Sequence, residues 1–61
     1  MSYNEFKRWL KKLGATFETH RSGSSHSTVR LNGQRTIFPE HGSKEIGTKL
    51  VQKIKKDLGV K

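Results

Sequence analysis

The 61 residues leave room for one domain with a thin hydrophobic core, so a deep, many-walled pocket is excluded and any site is expected on a sheet face or in a loop. There is no cysteine, which removes disulfides and thiolate metal sites, and no apolar run long enough for a membrane span or a signal-peptide core. Thirteen Lys and Arg against five Asp and Glu give a formal net charge of +8, so a polyanion, and nucleic acid first, is the expected partner of a cytoplasmic protein that avoids membranes.

Ser2 and Glu5 form an S-x-x-E capping box, and Tyr3, Phe6, Trp9, Leu10 and Leu13 follow at helical spacing on one face. Lys7, Arg8, Lys11 and Lys12 project from the other side, and Gly14 stops a helix predicted over Ser2 to Leu13. Residues 15–20 alternate and are rich in strand formers, and residues 21–25 read as a turn-forming loop. A second strand runs from His26 to Leu31, with Ser27, Val29 and Leu31 on one face and His26, Thr28 and Arg30 on the other. Asn32-Gly33 is a strong type I′ hairpin signal, because both central residues of that turn need positive φ. A third strand over Gln34–Phe38 is closed by Pro39, and residues 40–45 read as a loop. A second helix begins near Gly47, with Thr48 as a cap candidate, and ends at Gly59; Leu50, Val51, Ile54 and Leu58 form its apolar face and Lys49, Lys53 and Lys56 its basic one. The expected class is α+β, in the order α-β-β-β-α. Both helices cover one face of a three-stranded antiparallel sheet, and the other face stays open.

Counting outward from a two-residue Asn32-Gly33 loop sets the register. Leu31 opposes Gln34, Val29 opposes Thr36, Ser27 opposes Phe38 and Pro39 opposes His26. Arg30 then lies directly opposite Arg35 on the open face. Two guanidiniums so opposed repel unless a phosphate lies between or above them; two solvated arginines splayed apart fit the same pattern. In Gly23-Ser24-Ser25-His26 the glycine can turn successive N–H groups toward an anion, and the imidazole that follows can exchange protons with a ribose 2′-OH or a leaving 5′ oxygen. Taken alone, such a string is more often only a loop. His41 is a second candidate acid or base, with a loop-positioning role favoured, and Lys44 is a candidate phosphate contact. His20 reads as a structural or surface histidine, and Phe6 and Trp9 read as core. The three histidines with Glu18, Glu40 and Glu45 show no ligand spacing, so neither a metal nor another cofactor is expected.

Together these segments resemble the HicA-type mRNA interferases, the toxins of HicAB toxin–antitoxin pairs. The resemblance runs through Asn4-Glu5-Phe6-Lys7-Arg8-Trp9-Leu10, Leu13-Gly14, Gly23-Ser24-Ser25-His26, Asn32-Gly33, Gln34-Arg35-Thr36, Pro39 to Ile46, and Ile54 to Gly59. It implies a fold similar to the double-stranded-RNA-binding domain, His26 as the catalytic residue, ribosome-independent mRNA cleavage that halts translation, and a HicB-type antitoxin that masks the active face. Many members carry two adjacent histidines and a following aromatic, where this chain has Ser25-His26-Ser27-Thr28-Val29. Its approach to the second helix, Gly47-Thr48-Lys49-Leu50, is also spaced differently.

The expectation is a monomeric, metal-independent endoribonuclease of one domain, residues 1–61. His26 is its general acid or base, Arg30 and Arg35 its phosphate contacts, and the Gly23–Ser25 backbone its orienting element. The second proton-transfer partner stays open between His41, a lysine and water. A non-catalytic duplex-RNA-binding module is the alternative, and a small partner that docks an acidic protein is a third reading.

Overall fold

The computed structural model describes residues 1–19 and 25–60. The elements are α1 (Tyr3–Lys12), β1 (Thr16–Thr19), β2 (His26–Leu31), β3 (Gln34–Pro39) and α2 (Thr48–Asp57). The three strands form one antiparallel sheet in the order β1-β2-β3, so the α-β-β-β-α arrangement expected from the sequence is the one observed.

The capping box is formed in full. Ser2 Oγ accepts from the Glu5 N–H at 3.1 Å, and Glu5 Oε1 accepts from the Ser2 N–H at 2.8 Å. Two further N–H groups of the first turn find partners in the segment that precedes α2. Tyr3 N–H donates to the Lys44 carbonyl at 3.0 Å and Asn4 N–H to the Gly42 carbonyl at 2.9 Å. The 42–46 segment is therefore bound to the start of α1, and Ile46 drops from it into the core.

The hairpin follows the counted register throughout, from Leu31↔Gln34 to His26↔Pro39, with φ of 53° at Asn32 and 79° at Gly33. This parity sends Val29, Leu31 and Phe38 to one face, where they meet Phe6 and Leu10 of α1, Ile54 of α2 and Leu58, the C-cap residue of α2. Both helices thus lie on that face, and His26, Arg30, Arg35 and Ile37 are exposed on the other.

Several boundaries differ from expectation. Ala15 does not join β1; its N–H closes on the Leu10 carbonyl at 3.1 Å, which commits it to the end of α1. Leu13, expected on the apolar face, is 46% exposed because it is the C-cap residue, where the chain leaves the helix. Pro39 belongs to β3, an edge strand, where a missing N–H is tolerated. Thr48 is the first residue of α2 and not its cap: Gly47 takes the N-cap position, and no side chain bonds there. Trp9 is only partly buried, stacked on Phe6 with 5.7 Å between ring centroids and covered by Lys55 of α2. His20 lies outside the described residues.

Candidate active site

The open face of the sheet is built by parity. From β1 it receives Thr16 and Glu18, which pair with Arg30 and Thr28; from β2 it receives His26, Thr28 and Arg30, and from β3 Arg35, Ile37 and Pro39. Arg30 and Arg35 are direct partners across β2 and β3, as the hairpin count requires. Glu18, Thr28, Arg30, Arg35, Thr36 and Ile37 line a shallow depression of about 480 Å³ on this face. Its lining carries two guanidiniums, two threonines, the Glu18 carboxylate and one exposed apolar side chain, Ile37, and the guanidiniums beside Ile37 suit a sugar–phosphate backbone with a base edge next to it.

Glu18 is the counter-charge in this depression, and its place was not anticipated. Its Oε1 lies 3.7 Å from Arg30 Nη2, with both side chains more than half exposed. A pair so open to water contributes little stability. It does mean that a phosphate approaching Arg30 meets a carboxylate already there.

His26 begins β2, exposed, at the end of the open face where the loop from β1 arrives. Ser25, exposed before it, accepts the Glu40 N–H on its carbonyl at 2.6 Å. Gly23 and Ser24 lie outside the described residues. His41 stands edge-on to Tyr3 of α1, with ring centroids 4.9 Å apart, so it is tied to the helix that covers the opposite face. Lys44 lies in the loop bound to the start of α1; its carbonyl accepts from Tyr3 and its N–H donates to the His41 carbonyl at 3.2 Å. The strands thus place His26, Arg30 and Arg35 on one face, with His26 four residues along β2 from Arg30, roughly 13 Å at the rise of a strand, and outside the depression; His41 and Lys44 group with the N-terminus of α1.

A second group lies on the covered side of the sheet, around Ser27, the residue that follows His26. Glu40 Oε2 accepts from Ser27 Oγ at 2.5 Å and from Lys7 Nζ at 2.7 Å. Ser27 is buried at 1% exposure, and Lys7 and Glu40 are mostly covered. Burial opposes the Glu40 charge, but the Lys7 and Ser27 hydrogen bonds and the charges of Lys7 and Lys11 outweigh it and hold the carboxyl below its usual range. Lys7 was expected to face solvent; it instead lies against the sheet, its ammonium 5.1 Å from the centre of the Phe17 ring. The signal that could have revealed this group is Ser27 itself. A hydroxyl in line with Val29 and Leu31 on a buried strand face needs a polar partner.

Among the described residues no group of three or more His, Asp or Glu is close enough to hold a metal ion, and no helix is long and apolar enough to cross a membrane.

The comparisons with known proteins agree with one another. A family model described as the HicA toxin of bacterial toxin–antitoxin matches residues 3–60. The chain is 51% identical over 61 residues to a probable mRNA interferase HicA of Pseudomonas fluorescens, covering 100% of this chain and 98% of that protein. It is 46% identical over 61 residues to the probable mRNA interferase HicA 2 of Photorhabdus laumondii, covering 100% of both. With a probable mRNA interferase toxin HicA of Escherichia coli (strain K12) the identity is 37% over 60 residues, 98% of each chain. No solved structure matches the chain.

Proposed function

The chain belongs to the HicA toxin family of bacterial toxin–antitoxin systems, and from that premise we propose that it cleaves mRNA on the open face of its sheet with His26 as the proton-transfer group. It acts as an endoribonuclease, like the mRNA interferases to which it is similar. The observation that carries the reading is the hairpin register, which sets an exposed histidine on the same face as a directly opposed arginine pair.

RNA lies along that face with one phosphate held by Arg30 and Arg35, whose planar guanidiniums match its oxygens, and with the scissile linkage further along β2, at His26. The ribose 2′ oxygen attacks the adjacent phosphorus and the bond to the 5′ oxygen breaks. His26 either takes the 2′-OH proton or supplies the proton that the leaving 5′ oxygen needs, and the other of these two protons is exchanged with a second group, which is His41, a lysine or water. Imidazole suits both tasks because it gains and releases protons near neutral pH. The Gly23–Ser25 backbone orients the scissile group, and no metal is required for any of these steps. The whole of residues 1–61 works as one domain, in the cytoplasm and independently of the ribosome. A HicB-type antitoxin neutralises the toxin by covering the open face, and acidic side chains on that partner would complement Arg30 and Arg35.

The test in cells compares induction of the wild type with induction of His26→Ala. The wild type is expected to fragment transcripts and reduce colony survival, and co-expressed antitoxin to restore growth. The histidine variant is expected to leave both transcripts and growth intact. Equal toxicity of the two would remove His26 from the chemistry.

A further inference from the structure

We propose that Glu40 is the positioning residue for His26: through its backbone and its carboxylate it holds the residues on both sides of that histidine and ties them to α1. The proposal rests on the reading of His26 as the proton-transfer group.

The contacts bracket one position. On the N-terminal side, the Glu40 N–H donates to the carbonyl of Ser25 at 2.6 Å. On the C-terminal side, Glu40 Oε2 accepts from Ser27 Oγ at 2.5 Å. The same oxygen accepts from Lys7 Nζ at 2.7 Å, which joins the pair to α1. His26 and Pro39 form a non-hydrogen-bonded pair of the antiparallel ladder, and the Glu40 amide makes the next bond, which closes this end of β2–β3.

This end of β2 needs such a clamp. His26 is the first residue of its strand, and the backbone at 25–27 sets where its Cβ stands. A shift of about 1 Å in a proton-transfer group can cost about 100-fold in rate. Removing the carboxylate strands a buried hydroxyl at Ser27 and a covered ammonium at Lys7, and both would then draw the start of β2 and the side of α1 toward other partners. The result is a displaced imidazole on an otherwise intact face, because Arg30 and Arg35 are anchored further along the hairpin.

The molecule also holds a control. Asp57 makes a clamp of the same composition elsewhere, its Oδ2 accepting from Thr36 Oγ1 at 2.9 Å and from Lys53 Nζ at 2.8 Å. It joins α2 to β3 and touches neither neighbour of His26.

The experiment follows single-turnover cleavage of an RNA oligonucleotide in EDTA, with rate and half-saturating concentration measured separately and imidazole signals recorded by NMR. Glu40→Ala is expected to slow the cleavage step about 10- to 100-fold while half-saturation moves less than about twofold. Glu40→Gln keeps an acceptor oxygen and is expected to recover most of the rate. Asp57→Ala is expected to lower the melting temperature but to leave the cleavage step unchanged. The His26 imidazole signals should shift in Glu40→Ala and not in Asp57→Ala. Should Glu40→Ala fail to fold, Ser27→Ala removes one arm alone and is expected to slow the same step by a smaller factor.

A folded Glu40→Ala that cleaves at the wild-type rate overturns the proposal. So does an equal slowing by Asp57→Ala, which would reduce the effect to general destabilisation. If wild type and His26→Ala behave alike, the parent reading fails, and the imidazole signals still decide whether Glu40 holds residue 26.

Discussion

Arg30 faces two partners of like and unlike charge, Arg35 across the ladder and Glu18 on the neighbouring strand. A phosphate would relieve the first contact and compete with the second. Glu18→Gln is therefore expected to tighten RNA binding a few-fold, measured in a His26→Ala background, which is expected to spare the RNA. Arg30→Ala and Arg35→Ala are expected to weaken it, each lowering the slope of log affinity against log salt by about 0.7 if it meets one phosphate of a single strand. An unchanged slope in both arginine variants would mean that RNA binds elsewhere. The shared face of the candidate site residues was legible in the sequence. His26, Arg30 and Arg35 fall on one face by counting from Asn32-Gly33, since strand parity alone decides it. Glu40 and Lys7 could not be found that way, because their contact spans 33 positions of chain and depends on how α1 lies across the sheet.

The two helices are capped unequally. α1 has a complete capping box, an acid in its first turn and bases in its last, whereas α2 has Gly47 at its N-cap and no acid in its first turn. Ser2→Ala is expected to cost about 1 kcal/mol in denaturant unfolding, the usual worth of such a cap. Gly47→Asp is expected to stabilise by about 0.5 kcal/mol, since it supplies an acceptor and a negative charge at the positive end of the helix dipole. The site accepts a side chain: its φ is −71°, and an added Cβ would meet nothing within 4 Å. If Gly47→Asp proved destabilising, the N-terminus of α2 would not lie as described. Element order, hairpin register and the apolar faces were legible because each is a local period. The role of residues 42–46 was not. The segment reads as a polar loop, yet it supplies the carbonyls for α1 and a core residue, Ile46, through pairings more than 35 positions apart.

For the molecule as a whole, a net charge of +8 on 61 residues sets both its affinity for polyanions and a limit on its stability. The carboxylates oppose that self-repulsion. Burial works against the Glu40 charge, but the Lys7 and Ser27 bonds lower its carboxyl below the ordinary value, and hydrogen bonds from Ser2 and from Lys53 lower those of Glu5 and Asp57. Groups lowered in the folded state stabilise it fully above their unfolded values and lose that contribution as the pH falls through the folded ones. The melting temperature is accordingly expected to drop between about pH 5 and pH 3, and Glu40→Gln to flatten part of that drop. A melting temperature level across this window would deny the carboxylates their share.

In the proposed reaction the exposed imidazole at the head of β2 moves a proton during RNA scission. The most direct measurement incubates end-labelled RNA with wild type and with His26→Ala in EDTA, and reads both the rate and the chemistry of the new ends. The wild type is expected to leave 2′,3′-cyclic phosphate and 5′-hydroxyl ends, and the variant to lose at least about 100-fold in rate. Equal rates for the two proteins, or 3′-hydroxyl and 5′-phosphate ends, would contradict the proposed reaction.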